Sequence, residues 1–205
     1  MPKISVCIPV YEMYGVGVQM LERCLESLEQ QTFKDFEVVI SDNSDGVSLW
    51  KVLKLFDLRF LYLNNPIKGM APNTNCALTH ARGELVKILY QDDYLAHNNA
   101  LQLIVDNFKT EWLITACSNN PRPYYSSQNT LGSPSVLTMR KDTMLLFNNL
   151  KWTLDLDLYK RLYKKYGKPT ILNDINVIMG IGEWQQTSHL TDEEKLKEEL
   201  INAKE

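Results

Sequence analysis

Two adjacent aspartates, Asp92 and Asp93, directly follow an apolar run at residues 84–90. Two carboxylates at the end of a buried strand repel each other unless a positive charge compensates them. In proteins a divalent cation with hard oxygen ligands usually supplies that charge. The pair therefore indicates a metal site. Capping of a helix that begins near Asn99 is the alternative role, because aspartate is a good N-cap residue.

A second acidic loop, residues 42–46, follows another apolar run at residues 37–41. The carboxyl ends of strands in an open α/β sheet border the crevice in which such sheets bind ligands. We therefore expect the two acidic loops to meet at one crevice. A simple turn is the alternative for residues 42–46, because Asn, Ser, Asp and Gly all favour turns.

The first 117 residues alternate between short apolar runs and segments with helical spacing. The expected strands are residues 3–8, 37–41, 59–63, 84–90 and 112–117, and the expected helices are residues 19–31, 47–55, 72–81 and 99–108. Gly83 is expected to cap the helix that ends at Ala81. The alternation predicts an α/β fold, a single Rossmann-like domain with a central, mostly parallel sheet flanked by helices.

The pattern breaks after Cys117, and residues 118–135 have no clear period. A loop of this length inside a compact domain is usually functional or mobile. Helical signals return at residues 141–147 and 154–166, residues 170–179 suggest a strand, and residues 191–205 form a charged helix with a capping box at Thr191 and Glu194. We expect one domain over residues 1–190 and a C-terminal charged helix over residues 191–205.

The composition limits the possible partners and compartment. A formal net charge of -3 and a pI near 5.7 argue against a nucleic-acid partner, which would require a basic surface. No apolar stretch is long enough for a transmembrane segment, and no signal peptide opens the chain. The four cysteines are scattered, as is typical of reduced thiols. The expected location is cytoplasmic.

Five segments, taken in order, resemble the motifs of family 2 glycosyltransferases, which have the GT-A fold. The segments are residues 5–12, 42–46, 75–84, 91–93 and 154–162. The chain departs from the family pattern at two positions of interest. Tyr90 or Gln91 stands where the metal motif often has its first acid, and Leu154 stands where an acid often precedes the catalytic aspartate.

The resemblance implies a small, metal-dependent, inverting enzyme that moves a sugar from a UDP-sugar donor to an acceptor hydroxyl, with donor hydrolysis as a side activity. The acceptor is not identified and could be a glycan, a lipid-linked sugar or a protein. The implied cofactor is Mn²⁺ or Mg²⁺, held by Asp93 together with Asp92. Asp155 is the implied catalytic base, and Asp157 is the less favoured alternative. Both are also acids of the kind that a helix dipole favours in the first turn.

The resemblance also implies a nucleotide site, in which Asp42 would accept a hydrogen bond from N3–H of uracil and Lys68 would approach a phosphate. Tyr11 would pack on the base, and Ser44 or Asp45 would touch the ribose. The full predicted set is Pro9, Val10, Tyr11, Glu12, Asp42, Ser44, Lys68 and Asp92. A core position for Tyr11 and a solvated side chain for Lys68 are the alternatives.

Three other functions compete with this interpretation. A dinucleotide-binding oxidoreductase would need G-x-G-x-x-G after the first strand, and residues 11–17 lack that spacing. A nucleotidyltransferase-like protein would need a glycine-rich basic loop at the same place. A nucleotide-sugar-binding α/β protein without glycosyl transfer stays open.

Overall fold

The computed structural model describes residues 1–46, 49–126 and 131–203. Its strands are β1 (Ile4–Val10), β2 (Phe36–Asp42), β3 (Phe60–Asn64), β4 (Leu85–Ile88), β5 (Tyr94–Leu95), β6 (Trp112–Cys117), β7 (Leu137–Arg140) and β8 (Thr170–Ile178). Its helices are α1 (Gly17–Glu29), α2 (Trp50–Leu53), α3 (Met70–His80), α4 (Ala100–Asn107), α5 (Leu154–Tyr166) and α6 (Asp192–Asn202). Short 3-10 turns cover Met13–Gly15, Pro134–Val136 and Gln186–His189.

All eight described strands form one sheet in the order β3-β2-β1-β4-β7-β6-β8-β5. The β1–β2, β2–β3, β1–β4 and β6–β8 pairs are parallel. β7 is antiparallel to both β4 and β6, and β5 is antiparallel to β8. The predicted α/β architecture with a mostly parallel sheet is therefore confirmed. The parallel pairing brings the carboxyl ends of β1, β2 and β4 to one edge.

The core explains why the first strands could be recognised from their composition. Every residue of β2 and all but one of β1 are buried, as expected for parallel strands that helices cover on both faces. α1 buries the stripe predicted from its spacing, which comprises Leu21, Cys24, Leu25 and Leu28.

Several local predictions differ from the structure. Residues 141–147 are not helical, because Met144, Leu145 and Phe147 pack on the core along an irregular path. Asn75 fixes that path, since its side chain bonds both the N–H and the carbonyl of Phe147 at 2.9 Å. β7, which follows the predicted loop, was missed. The predicted helix 47–55 is reduced to α2, and positions 47 and 48 lie outside the described residues.

α3 ends at His80 and is followed by Ala81 in an extended conformation, so Gly83 does not cap the helix as predicted. Gly83 instead lets the chain pass close to β1. A Cβ at Gly83 would lie 2.5 Å from the backbone nitrogen of Ser5. The Ser5 hydroxyl accepts a 2.7 Å hydrogen bond from the Gly83 N–H and donates a 2.6 Å bond to the buried carboxylate of Glu37.

No helix among the described residues is long and apolar enough to cross a bilayer. The predicted capping box of α6 is confirmed, with Thr191 and Glu194 bonded to each other's backbone. The last two residues of the predicted tail, 204 and 205, lie outside the described part of the chain.

Gly83→Ala should destabilise the fold by about 1–3 kcal/mol, the usual cost of overpacking a close-packed site. The added methyl group would meet backbone rather than a movable side chain. Equilibrium unfolding in denaturant would measure the change. An unchanged midpoint would show that β1 and the α3–β4 connection can move apart without loss of stability.

Candidate active site

A cleft of about 800 Å³ opens at the sheet edge where β1, β2 and β4 end. Seven of the predicted site residues line it, namely Pro9, Tyr11, Glu12, Lys68, Asp92, Asp93 and Asp155. Three do not, namely Val10, Asp42 and Ser44. The two acidic loops and the candidate base therefore share one cavity, although Asn43 and Asp155 are 112 positions apart in the sequence.

Asp93 is a junction between three parts of the chain. Its side chain is almost fully buried at the end of the turn that follows β4. Oδ2 accepts a 2.8 Å hydrogen bond from the Ser133 hydroxyl, and Oδ1 accepts a 2.8 Å bond from the N–H of Gly180. The carboxylate thus joins β4, the loop before β7 and the segment after β8.

Gly180 is required at this junction by the space available. A Cβ at this position would lie 2.2 Å from the carbonyl oxygen of Asp92. Only a glycine lets the segment after β8 approach the acid pair closely enough to bond Asp93. The sequence did not predict this contact, because a glycine in an irregular segment does not indicate a particular partner.

The protonation of Asp92 depends on its burial and on the neighbouring Asp93. Burial, followed by the neighbouring charge of Asp93, raises the pKa of Asp92 to about 7. Burial also raises the pKa of Asp93, while its bonds to Ser135, Gly180 and Ser133 oppose the shift. The two carboxylates therefore compete for ionisation in the metal-free chain.

A buried lysine interacts electrostatically with Asp93. Lys87 in β4 is fully buried, and its Nζ donates to the carbonyl of Ser135. Burial lowers the pKa of Lys87 to about 7, and the Asp93 charge acts in the opposite direction. The Ser135 hydroxyl in turn accepts a 2.7 Å bond from the N–H of Tyr90. The burial of Lys87 was not predicted, because a single lysine in a short strand resembles a residue that faces solvent.

The acid pair fits a divalent cation that binds together with a diphosphate. No group of three His, Cys, Asp or Glu residues that could hold a metal occurs in the described residues. Mg²⁺ commonly takes one or two carboxylates and completes its shell with substrate phosphates and water. Asp92 and Asp93 are the two carboxylates that would enter such a shell.

Gln91, at one of the two positions where the family motif often has its first acid, has a structural role. Its Oε1 accepts a 2.9 Å bond from the N–H of Tyr11, and its Nε2 donates a 2.6 Å bond to the carbonyl of Gly17. Gln91 therefore holds the loop between β1 and α1. Within that loop Met13 and Tyr14 have φ angles of 46° and 54°, a strained backbone conformation for residues other than glycine.

The aromatic residues around the cleft are also held in place. The Tyr11 hydroxyl donates a 2.8 Å bond to the carbonyl of Trp184, so the loop after β1 contacts the segment after β8. Tyr90 lines the cleft, and its hydroxyl lies 3.4 Å from that of Thr74. Burial raises the pKa of both phenols well above the ordinary value, so both stay neutral.

The Asp42 carboxylate organises its own loop. Oδ1 accepts a 2.8 Å bond from the N–H of Ser44, while Oδ2 accepts bonds from the N–H of Leu49 at 3.2 Å and the hydroxyl of Tyr62 at 2.6 Å. A direct contact between Asp42 and uracil stays a prediction. The turn role, which was the alternative, accounts for the described contacts.

Backbone groups near β1 are similarly engaged. The carbonyl of Val10 accepts bonds from the N–H of Asn43 at 2.9 Å and from Nδ2 of Asn73 at 3.1 Å. Lys68 is about half exposed, pairs with Asp45 at 2.7 Å, and donates to the carbonyl of Asn43. Lys68 and Asp45 both line the cleft, so this ion pair borders the predicted nucleotide site.

Asp155 and Asp157 have different environments on α5. Asp157 is buried, pairs with Arg161 at 2.6 Å, and accepts 3.1 Å bonds from Nδ2 of Asn148 on both oxygens. Asp155 is also buried but lines the cleft. The structure therefore gives Asp157 a packing role and leaves Asp155 as the carboxylate that faces the cavity.

Comparison with known proteins bears directly on these features. The family model for glycosyl transferase family 2 matches residues 5–173. The chain belongs to this family. The matched region contains every predicted site residue, and it ends before the last residues of β8 and before α6.

Curated relatives are similar over part of the chain. A GalNAc(5)-diNAcBac-PP-undecaprenol beta-1,3-glucosyltransferase of Campylobacter jejuni is 35% identical over 100 residues, which is 46% of this chain and 31% of that protein. The WfaP protein of Escherichia coli, a UDP-Glc:alpha-D-GlcNAc-diphosphoundecaprenol beta-1,3-glucosyltransferase, is 39% identical over 72 residues, covering 34% and 29%. The chain spans about a third of the length of these relatives.

Solved structures confirm the fold. Residues 1–349 of TarS from S. aureus, in complex with UDP-GlcNAc, superpose with a TM-score of 0.73 at 21% identity, covering 98% of this chain and 65% of that chain. The mannosyltransferase PcManGT of Pyrobaculum calidifontis, in complex with GDP-Man and Mn²⁺, gives a TM-score of 0.68 at 18% identity, covering 89% and 58%. The fold is GT-A, as the motifs predicted.

Asp92→Asn should raise the melting temperature of the metal-free chain near pH 8. The pKa of Asp92 is raised from 3.8 to about 7, so between these values the folded state holds a proton that the unfolded state has lost. Stability therefore falls as pH rises through this window, and the amide removes that loss. The gain should shrink towards pH 4. Calorimetric melting curves would measure it.

The same curves with Mn²⁺ and UDP provide the control. This mixture should raise the melting temperature of the wild-type protein more at pH 8 than at pH 6, because the metal competes with protons for the carboxylates. At pH 8 the mixture should raise the melting temperature of Asp92→Asn less than that of the wild type. A variant that melts lower than wild type at both pH values without metal would contradict the account of buried repulsion.

Proposed function

We propose that this chain is a metal-dependent, inverting glycosyltransferase that moves a sugar from a UDP-sugar donor to an acceptor hydroxyl. One observation carries the proposal: a single cleft holds an adjacent pair of buried aspartates and, on a separate helix, a further carboxylate. The cleft volume of about 800 Å³ is suitable for a nucleotide sugar, since ligand sites usually measure ~300–1,000 Å³.

A uridine nucleotide is the donor that the comparisons favour. The name of WfaP specifies UDP-Glc, and the TarS structure contains UDP-GlcNAc. The PcManGT structure contains GDP-Man instead, so the donor has to be tested rather than assumed. In this chain the nucleotide would lie along the end of β1, beside Pro9, Tyr11 and Glu12. Lys68 would be near the same end, because it pairs with Asp45, whose N–H donates to the Glu12 carboxylate.

Asp92 and Asp93 would hold the metal with the donor diphosphate. The bound cation would offset the negative charge that develops on the leaving diphosphate. Ser133 and Gly180 keep the Asp93 carboxylate oriented. The Mn²⁺ in the PcManGT structure supports a divalent cation on this fold.

Asp155 would act as the general base. It would take the proton from the acceptor hydroxyl as that oxygen bonds to the anomeric carbon and the bond to the diphosphate breaks. Attack from the side opposite the leaving group inverts the configuration at that carbon. Asp157 is unsuited to this role because Arg161 and Asn148 already bind its oxygens.

A screen of UDP-, GDP- and CMP-sugars, with and without Mn²⁺, tests the proposal. Thermal shift would measure donor binding, and release of the nucleoside diphosphate or monophosphate would measure transfer or hydrolysis. We expect a Mn²⁺-dependent shift and turnover with UDP-sugars. A UDP-sugar shift with no turnover on a wide acceptor panel or on water would favour the alternative, a nucleotide-sugar-binding protein without transfer.

Asp155→Asn should lower transfer by ~10²-fold or more, within the usual contribution of a positioned base. The affinity for UDP with Mn²⁺ should stay near that of wild type, because the residue faces the acceptor end. Initial rates and calorimetric titration would measure the two effects.

Asp157→Asn is the matched control on the same helix turn. It weakens the buried contact with Arg161, so its main effect should be a lower melting temperature. Full transfer by Asp155→Asn together with loss of transfer in a folded Asp157→Asn protein would move the base to Asp157. An undiminished rate in both variants would argue against base catalysis by α5.

A further inference from the structure

The C-terminal helix α6 binds the segment that leads into α5. The Glu198 carboxylate of α6 accepts hydrogen bonds from three consecutive backbone N–H groups. The distances are 2.8 Å from Lys151, 2.7 Å from Trp152 and 3.0 Å from Thr153. Residues 151–153 are separated from Glu198 by 45 or more positions, so this is a tertiary contact rather than a local cap.

Two further residues of α6 strengthen this contact. The buried Asn202 donates a 2.6 Å bond from Nδ2 to the Thr153 hydroxyl and accepts a bond from Lys160 on its carbonyl. Glu199 accepts a 2.9 Å bond from the indole of Trp152 and also lines the cleft. α6 therefore docks on α5 and contributes to the wall of the cavity.

The start of α5 has no local side-chain cap. Thr153 precedes the helix, and its side chain makes no capping hydrogen bond. An anion near the first turn stabilises a helix, because unpaired N–H groups and the helix dipole both point there. Glu198 supplies that anion from another helix.

Asp155 lies in the first turn of α5, two residues after the segment whose N–H groups Glu198 binds. The direction of a side chain in the first turn follows from the path of the helix backbone. On the opposite side, Asp157 binds Asn148 and Arg161. The first turn of α5 is thus held from two sides, and Asp155 faces the cleft between these contacts.

We propose that Glu198 is a positioning residue for Asp155 and that α6 is part of the catalytic unit. This inference rests on the proposed function, because it assigns Glu198 a role in transfer through the candidate base. It also revises the expected division of the chain at residue 190, since the appended helix would complete the acceptor end of the site.

The first test compares Glu198→Ala with Glu193→Ala. Glu193 lies on the exposed surface of the same helix and makes none of the described contacts with residues 151–153. Glu198→Ala should lower kcat by about 10- to 100-fold, since a small misplacement of a reacting group can cost ~10²-fold. The affinity for UDP with Mn²⁺ should not change. Glu193→Ala should keep both values.

Glu198→Gln tests whether hydrogen bonding alone is enough. Its amide oxygen can still accept from the backbone N–H groups, but the negative charge is absent. A kcat between those of wild type and Glu198→Ala is expected. A kcat for Glu198→Ala equal to that of wild type would overturn the positioning role.

A double-mutant cycle separates positioning from a general loss of stability. If Glu198 acts through Asp155, adding Glu198→Ala to Asp155→Asn should cause little further loss of kcat. Equal losses in the two backgrounds would show that Glu198 affects the rate by another route and would overturn the inference.

Hydrogen exchange provides a readout that does not depend on turnover. Amide protons of residues 151–156 should exchange faster in Glu198→Ala than in Glu193→Ala, because the first turn of α5 loses its anchor. Unchanged exchange would overturn the docking role directly. A wild-type chain that turns over no donor would refute the proposed function, whereas an active wild type with a fully active Glu198→Ala variant would refute only this inference.

Discussion

The burial of two adjacent carboxylates, Asp92 and Asp93, is the constraint on which the rest of this site depends. Two adjacent carboxylates are almost fully buried, and burial is the main reason that their pKa values rise. The surrounding structure offsets the cost of that burial with hydrogen bonds, which the Ser133 hydroxyl and the Gly180 N–H donate to Asp93. The positive charge of Lys87, when that side chain is protonated, also favours ionised Asp93. In the proposed function, a metal ion and a diphosphate would neutralise the two carboxylates that this arrangement holds in place.

The same contacts explain how distant parts of the sheet form one site. β4 carries the acids, the loop before β7 supplies Ser133, and the segment after β8 supplies Gly180. Because β7 lies antiparallel between β4 and β6, the loop that leads into it reaches the edge where the parallel strands end. The loop after Cys117, which has no sequence period, therefore has a defined structural purpose at residues 131–136.

The features that could be predicted from the sequence are those that depend on a local pattern of residues. Strand-end acids such as Asp92 and Asp93, the alternation of strands with helices, and the capping box of α6 all follow from neighbouring residues. Lys87 and Glu198 could not be predicted, because their roles depend on tertiary partners. A lysine in a strand and a glutamate in a charged helix both resemble solvated residues. The predicted helix at residues 141–147 failed for the same reason, since Asn75 fixes that segment from α3.

The site is built from two parts of the chain that would serve different steps of the proposed reaction. The residues that would bind the nucleotide and metal lie at the ends of β1, β2 and β4, where parallel pairing fixes their spacing. Asp155 comes from α5, whose first turn is held by Asp157 on one side and by α6 on the other. Within the described residues, α6 hydrogen-bonds to residues 151–153 and to Lys160 rather than to the strand ends. Donor binding and proton transfer should therefore respond to mutation independently, because changes in α6 reach the base without disturbing the sheet edge.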